Sequence, residues 1–169
     1  MQLALVEKRS PSTRQTTDAD VRDAFEAWHG LVFRTAYRIT GNAADAEDVL
    51  QTVFLRLLAR EGSALTLDQP ESYLRRAAIN VSLTLLAQRH RAKPVPLDEA
   101  TEAPASEDAE LRLRLRRAIA HLDPKQAELF ALRYFEGLSN AEIARLYNMS
   151  SVRVAVTLYR IRLKLQEEV

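Results

Sequence analysis

The sequence predicts an all-α protein made of two small helical domains joined by an acidic linker that contains proline. Glycine occurs only four times in 169 residues, and strand-like alternation of apolar and polar residues is scarce. Apolar residues instead recur at helical spacing, and a hydrophobic content of 47% is enough for packed cores. The helical pattern breaks at Pro94, Pro96 and Pro104, in a stretch rich in alanine and acidic residues. The predicted organisation is a flexible leader, a first domain, a linker and a second domain, at residues 1–17, 18–93, 94–110 and 111–169.

The first domain is predicted to contain three helices, at residues 18–39, 43–60 and 71–90. Gly41 fits the position just past a helix end, because glycine adopts the left-handed backbone conformation without a steric penalty. Asn42 can cap the second helix, whose apolar residues form a strong amphipathic stripe. Pro70 suits the first turn of the third helix, where its missing N–H group costs nothing.

The second domain is predicted to contain four helices, beginning at about Ala109 and continuing at 124–135, 138–147 and 151–165. Asp123 and Pro124 provide a cap and a first helical residue for the second of these. Ser139 and Glu142 have the spacing of a capping box, and Ser150 is a further N-cap candidate. The last helix carries one stripe that is predicted to be buried, formed by Val154, Leu158, Ile161 and Leu165.

The last two helices, with Asn148 to Ser150 as the turn between them, have the pattern of a helix-turn-helix. The second helix of such a motif stands out from the body of the domain and can enter a major groove of DNA. The alternative is an ordinary pair of helices in an all-α core, because many helix pairs do not bind DNA.

No catalytic, metal or cofactor site is predicted. The chain has no cysteine, its three histidines are scattered, and it carries no phosphate loop and no nucleophile–base signature. Membrane insertion is not expected, because no apolar run approaches the ~20 residues that cross a bilayer. The amino terminus lacks a signal-peptide pattern, so we expect a cytoplasmic protein that is not an enzyme by itself.

Three stretches of the chain carry a resemblance to the extracytoplasmic-function (ECF) sigma factors of bacterial RNA polymerase. They are separated by the spacing that this family shows, and together they cover about residues 20 to 166. The first stretch is Ala36–Asn42 followed by Asp45–Gln51 and Phe54–Arg56, the second is Tyr73–Asn80, and the third is Leu122–Gln126 followed by Leu132–Ser139 and Glu142–Ala144.

The resemblance implies a division of work between the domains. The first, sigma domain two, would grip a coiled coil of the largest polymerase subunit and help to melt the minus-ten promoter element. The second, sigma domain four, would place its helix-turn-helix in the minus-thirty-five element and contact the flap of the second-largest subunit. The implied partners are the polymerase core, promoter DNA and an anti-sigma factor.

In the first domain the resemblance assigns two sets of residues. The polymerase-gripping face would consist of Asp45, Asp48, Gln51 and Thr52. The helix beside the melted DNA strand would contribute Arg75, Arg76, Asn80, Gln88, Arg89 and Arg91, and Leu65 or Leu67 could wedge between bases. The alternatives are a solvated helix face for the charged residues and an interhelical hydrogen bond for Asn80.

In the last helix the sequence departs from the family, because the run Arg153 to Thr157 lacks the lysine and arginine that the family usually has there, and Arg153 could replace them only in part. The residues expected to contact DNA are Ser150, Ser151, Arg153, Val156, Thr157, Arg160 and Lys164. A second apolar stripe lies roughly opposite the buried one and consists of Val152, Val156, Tyr159 and Leu163. It could contact thymine methyl groups, or pack on the first domain, a regulator or another copy; we expect protein packing for Tyr159 and Leu163.

The favoured function is therefore a promoter-specificity subunit of RNA polymerase. A sigma-like decoy that binds an anti-sigma factor without productive DNA contact, and a stand-alone helix-turn-helix repressor, are the alternatives. The opposed apolar stripes of the last helix also predict that the two domains close on each other in the free protein, which would hide basic faces until polymerase separates them.

Overall fold

The computed structural model describes residues 18–59, 69–92 and 106–169, with side chains from residue 22 onward. Within these ranges the chain forms seven α-helices and no strand, which confirms the all-α prediction. The helices are α1 (Asp18–Thr40), α2 (Ala43–Leu58), α3 (Pro70–Arg91), α4 (Glu107–His121), α5 (Pro124–Tyr134), α6 (Asn140–Tyr147) and α7 (Ser151–Glu168). The predicted leader, the loop with Leu65 and Leu67, and the linker prolines lie outside the described residues.

The helix ends follow the caps that the sequence predicted. The Asn42 side chain accepts a hydrogen bond from the Asp45 amide at 3.1 Å, and the side chains of Asp123 and Ser150 cap α5 and α7 in the same way. Ser139 and Glu142 form a complete capping box at the start of α6. Each cap satisfies backbone N–H groups that have no partner inside the helix, so these short polar residues set where the helices begin.

The fourth helix begins earlier than predicted. The sequence places the return of the helical pattern at about Ala109, whereas α4 starts at Glu107. The reason is Ser106, whose side chain accepts a hydrogen bond from the Ala109 amide at 3.3 Å and caps the helix. Acidic side chains in the first turn add to this, because they lie beside the positive end of the helix dipole.

Helices α1, α2 and α3 form the first domain around a core of aliphatic side chains and Phe54. The buried members of this core are Ala24, Val32, Ala36, Ala46, Val49, Val53, Phe54, Leu57, Leu74, Ala78 and Val81. Burial of each valine, leucine or phenylalanine side chain is worth about 1.5–3 kcal/mol, so the three helices hold together chiefly through this core.

Helices α4 to α7 form the second domain, and its core continues into the first. Ile39 of α1 and Ile79 and Leu83 of α3 belong to the same buried cluster as the apolar residues of α4 to α7. The helix α3 is therefore buried on two sides: Leu74, Ala78 and Val81 face the first core, while Ile79 and Leu83 face the second. It packs against α1 and α2 on one side and against α4 and α5 on the other.

The two domains are thus in contact, as the sequence analysis expected, but through a different surface. The contact is made by α3 with α4 and α5, and not by the outer stripe of α7. That stripe is open to solvent, with Val152 at 70% and Tyr159 at 61% exposure. Packing of the stripe on the first domain, one of the three alternatives, is therefore wrong for this conformation. None of the helices in the described ranges has the length and apolar character of a membrane span.

Candidate nucleic-acid interface

The last helix, α7, has one face in the core and one face in solvent. Val154, Leu158, Ile161 and Leu165 are buried, as their spacing predicted. On the opposite side the residues expected to contact DNA are exposed, except Thr157, which is half-buried; they are Ser150, Ser151, Arg153, Val156, Arg160 and Lys164. The helix is therefore anchored along its length while its other face is free to meet a partner.

Local hydrogen bonds fix the start of α7. Asn148 adopts a left-handed conformation with φ of 50°, which ends α6 and turns the chain into α7. The Ser150 hydroxyl accepts a hydrogen bond from the Arg153 amide at 3.2 Å. The Thr157 hydroxyl donates to the Arg153 carbonyl at 2.8 Å, so this side chain is oriented along its own helix. The first turns of α7 are thereby held rigidly at the protein surface.

On α3, Arg76 and Asn80 contact the second domain. The Arg76 Nε donates a hydrogen bond to the Glu128 Oε1 at 2.9 Å, and the Asn80 Nδ2 donates to the same oxygen at 3.4 Å. The Arg76 guanidinium also lies over the ring of Tyr147, 4.9 Å from its centroid. Burial alone would lower the pKa of Arg76, but its hydrogen bond to Glu128 and the charge of that carboxylate outweigh this effect and raise the pKa.

Arg75 contacts a second carboxylate of the other domain. Its Nε lies 3.6 Å from the Glu136 Oε2, and Arg38 of α1 approaches the other oxygen of Glu136 at 3.3 Å. The Glu136 side chain is only 2% exposed. Arg75 also pairs with Glu71, one turn earlier on α3. Asn80 makes a hydrogen bond between helices, and Arg75 and Arg76 make ion pairs. The polar groups of α3 therefore face carboxylates of the second domain.

The other expected DNA contacts lie near the end of α3, where Gln88, Arg89 and Arg91 are exposed. Arg89 pairs with Asp45 of α2, and the Arg91 Nε donates to the Ala87 carbonyl at 3.2 Å. The expected six residues therefore do not form one cluster. Arg75, Arg76 and Asn80 meet the second domain, and the other three lie several turns further along the helix.

On α2, Asp48 and Gln51 are exposed and Thr52 is half-buried, which leaves them on an accessible face. Asp45 does not share it, since it is 2% exposed and its carboxylate points to Arg89. Burial raises the pKa of Asp45, although the positive charge of Arg89 opposes the change. In this conformation the accessible part of the expected polymerase-binding set is Asp48, Gln51 and Thr52.

Glu128, Glu136 and Arg116 join the domains, a role that was not predicted for any of them. The signal for Glu128 is its position inside the apolar run Ala127 to Leu132, because a carboxylate in such a run must be paired once it is buried. Arg116 of α4 donates from its Nε to the Ile39 carbonyl at 3.0 Å. A Cβ at Gly41 would lie 2.2 Å from the Arg116 guanidinium, so the glycine makes room for this contact.

The described residues contain no group of three potential metal ligands. The outer face of α7 combines hydroxyl groups, cations and exposed apolar side chains, which can meet phosphates and base edges. The arginines of α3 form a second cationic site, whose partners in this conformation are carboxylates.

Two protein-family models match the chain, in the order that the fold presents. The model described as Sigma-70 region 2 matches residues 24–92, and the model described as Sigma-70, region 4 matches residues 112–165. The combination defines a sigma-70-type factor.

Proteins with similar sequences show which kind of sigma-70-type factor this is. The RNA polymerase sigma-E factor of Streptomyces coelicolor is 32% identical over 140 residues, which is 81% of this chain and 78% of the relative. The ECF RNA polymerase sigma factor SigE of Mycolicibacterium smegmatis is 28% identical over 148 residues, covering 80% and 56% of the two chains. The chain therefore belongs to the extracytoplasmic-function family of RNA polymerase sigma factors. Its function is to direct RNA polymerase to promoters.

A solved structure described as the RsbN–BldN complex is similar over 90% of this chain and 94% of that chain. The TM-score is 0.34 and the sequence identity is 23%, values too low to bear on the arrangement or the partners of this protein.

Proposed function

We propose that this sigma factor divides promoter recognition between two helices, with α7 reading the upstream element and α3 holding the melted downstream strand. The observation that supports this most strongly is the orientation of α7. Its inner stripe is buried in the second domain, and its outer face presents hydroxyl, cationic and apolar groups to solvent. A helix fixed in this way can enter a major groove without unfolding any part of the domain.

The residues of α7 have different proposed roles. Ser151, Arg153 and Val156 lie in its first two turns and would meet base edges and thymine methyl groups. Arg160 and Lys164 lie further along and would neutralise phosphates. In the free protein the Lys164 Nζ donates to the Gln126 side chain at 3.2 Å, an exposed contact that a phosphate could replace at small cost.

DNA-binding assays with holoenzyme separate these roles. Arg160→Ala should weaken binding to all promoter sequences alike and reduce the slope of log affinity against log salt by about 1. Arg153→Ala should instead relax specificity at one base pair of the upstream element. Arg22→Ala, an exposed arginine of α1, is the control. Equal effects of all three changes would contradict the assignment.

For the first domain we infer that Asp48, Gln51 and Thr52 bind the polymerase core. These side chains lie on the accessible face of α2, and an acidic, amide-bearing face suits a basic partner helix. Asp48→Arg should weaken co-purification with core polymerase, and Glu26→Arg on α1 should not. A protein that never binds core stably would fit the decoy alternative instead.

Melting of the downstream element would depend on Arg75, Arg76 and Asn80. Two guanidinium groups can pair with phosphates, and the amide offers a donor and an acceptor to an unstacked base. Run-off transcription together with permanganate footprinting tests this. Arg75→Ala/Arg76→Ala should lower strand opening while closed-complex formation persists. Loss of both steps to the same extent would contradict a role in melting.

Three further inferences follow from membership of the family. The chemistry of transcription belongs to the polymerase, so this subunit would need no cofactor of its own. It would act in the cytoplasm and be held inactive by an anti-sigma factor. The exposed stripe of Val152, Tyr159 and Leu163 supports a protein partner, because apolar side chains aligned on one helix face are a common docking feature.

A further inference from the structure

We propose that Glu128 and Glu136 form an internal ionic lock, in which two carboxylates of the second domain occupy the cationic site of α3 that the promoter strand would otherwise bind. The inference rests on the proposed role of Arg75, Arg76 and Asn80 in DNA binding. In the closed form of the free protein these groups are already paired, so this sigma factor is inhibited by its own second domain until the domains separate.

The first half of the lock is centred on Glu128. This residue is 7% exposed, and one of its carboxylate oxygens accepts hydrogen bonds from both Arg76 and Asn80. These two donors are separated by one helical turn, so they face the same side of α3. A phosphate or base edge that approached this side would meet the Glu128 carboxylate first and would be repelled by it.

The second half is centred on Glu136, the second residue of the connection between α5 and α6. Arg75 and Arg38 lie on opposite oxygens of its carboxylate at 3.6 and 3.3 Å. A carboxylate held between two guanidinium groups has the same charge sign and a similar hydrogen-bonding pattern as a backbone phosphate. Glu136 therefore occupies the position relative to Arg75 that a DNA phosphate would take.

The closed form is also stabilised by an apolar contact between the domains and by a hydrogen bond to the backbone. Ile79 and Leu83 of α3 and Ile39 of α1 are buried against the second domain. Arg116 extends from α4 over Gly41 to the Ile39 carbonyl, where it covers the end of α1. Opening exposes this apolar surface, so a partner that covers it shifts the equilibrium towards the open form. The polymerase core is the partner that the proposed function provides.

The first experiment weakens the lock without changing side-chain size. The double variant Glu128→Gln/Glu136→Gln is compared with Glu107→Gln/Glu167→Gln, which removes two exposed carboxylates from the same domain. Binding of a fluorescent, random-sequence 20-nucleotide single-stranded DNA is measured for the free proteins. The lock variant should bind about tenfold more tightly than the control variant, as the loss of charge-assisted pairs predicts. Equal affinity for the two variants would overturn the proposal.

The second experiment holds the lock closed. The chain has no cysteine, so His90→Cys/His121→Cys introduces one reactive pair, at rings whose centroids are 4.2 Å apart across the two domains. A short bismaleimide joins the pair in the free protein. The joined protein should lose run-off transcription, and the same variant left unjoined should retain it. Full activity of the joined protein, or failure of the pair to react in the free protein, would overturn the closed inhibitory form.

The two experiments also separate this inference from the function on which it rests. If adding Arg75→Ala/Arg76→Ala to Glu128→Gln/Glu136→Gln leaves its single-stranded DNA binding unchanged, the proposed DNA site is wrong. If Arg75→Ala/Arg76→Ala lowers strand opening by the holoenzyme but Glu128→Gln/Glu136→Gln binds single-stranded DNA no more tightly than its control, the DNA site stands and the lock does not exist.

Discussion

At the scale of the residue, the buried carboxylate of Glu128 shows how one charge can specify the arrangement of two domains. Burial of a carboxylate that has no hydrogen-bond or ionic partner is strongly unfavourable, because the charge loses its hydration. Glu128 avoids this cost because Arg76 and Asn80 donate to it from the other domain. Breaking such a pair by removing one partner is destabilising, so Glu128 favours the closed arrangement as long as α3 supplies its donors.

Two glycines with positive φ provide a matched pair for a stability test. Gly41 has φ of +69° and lies against the Arg116 guanidinium, whereas Gly137 has φ of +72° and open space around its Cβ position. Gly137→Ala should lower the free energy of unfolding by about 1–2 kcal/mol, from backbone strain alone. Gly41→Ala should cost more, because the new methyl group also displaces Arg116.

Urea titrations measure both variants, and Arg116→Ala separates the two contributions to the Gly41→Ala effect. In an Arg116→Ala background, Gly41→Ala should cost about as much as Gly137→Ala. If Gly41→Ala costs no more than Gly137→Ala in the natural background, the Arg116 contact does not constrain this turn.

The capping box predicts a pH dependence with a definite sign. Hydrogen bonds from the Ser139 side chain and backbone lower the pKa of Glu142 below its ordinary 4.5. The unfolded chain therefore takes up this proton at higher pH than the folded chain does. The stabilisation is complete above about pH 4.5 and is lost as the pH falls through the lowered pKa of the folded state.

Glu142→Gln should remove this part of the pH dependence. Between pH 6 and about 3, the free energy of unfolding should fall less steeply in the variant than in the natural protein, as urea titrations at each pH would show. Asp45 contributes with the opposite sign, because burial raises its pKa, and this contribution is common to both proteins. Parallel pH profiles would contradict the role assigned to the Glu142 carboxylate.

At the scale of the element, α3 is the helix on which the arrangement depends. Its apolar residues form two stripes, one for each core, and its polar residues between them face the carboxylates of the second domain. A helix with two apolar faces is buried on both. The rule led us to expect burial of the outer stripe of α7, which is in fact exposed. It was not applied to α3, whose two apolar faces are both buried.

Features that depend on residues close together in the sequence were predicted, whereas contacts between residues far apart in the sequence were not. The caps at Asn42, Ser139 and Ser150 and the inner stripe of α7 are local patterns, and they were predicted correctly. The bond from Arg76 to Glu128 joins residues 52 positions apart, and many carboxylates could satisfy that arginine. Only tertiary packing selects one of them. The burial of Asp45 was missed for the same reason, because its partner Arg89 lies on another helix.

Substitution of Ile79 tests whether α3 couples the domains. Ile79→Ala should cost about 2–5 kcal/mol, because the side chain is fully buried in the core that the domains share. The chain has one tryptophan, Trp28 on α1, which reports on the first domain, whereas circular dichroism reports on all helices. In the natural protein both signals should change together during urea unfolding, and in Ile79→Ala they should separate.

Val53→Ala, in the core of the first domain alone, is the control for this comparison. It should destabilise the first domain without any change in the contact between α3 and the second domain. Coincident signals in Ile79→Ala would mean that the two domains do not depend on Ile79 for their coupling.

At the scale of the whole molecule, the protein is a promoter-directing subunit whose three proposed binding surfaces differ in how accessible they are. The outer face of α7 and the accessible face of α2 are open to partners. The arginines of α3 are engaged by the second domain. With the roles proposed for these surfaces, contact with polymerase would precede capture of the melted strand. A subunit that keeps its strand-binding site covered avoids non-specific binding to nucleic acid, which cationic surfaces otherwise promote.

The distance between the domains, measured before and after binding to polymerase, tests this account most directly. Spin labels on Ala27→Cys and Glu167→Cys, both at exposed positions in a chain without other cysteines, report that distance by electron–electron resonance. The free protein should give one short, narrow distance distribution, and the complex with core polymerase should give a longer one. A long and broad distribution in the free protein, unchanged by polymerase, would contradict the closed arrangement and the order of events derived from it.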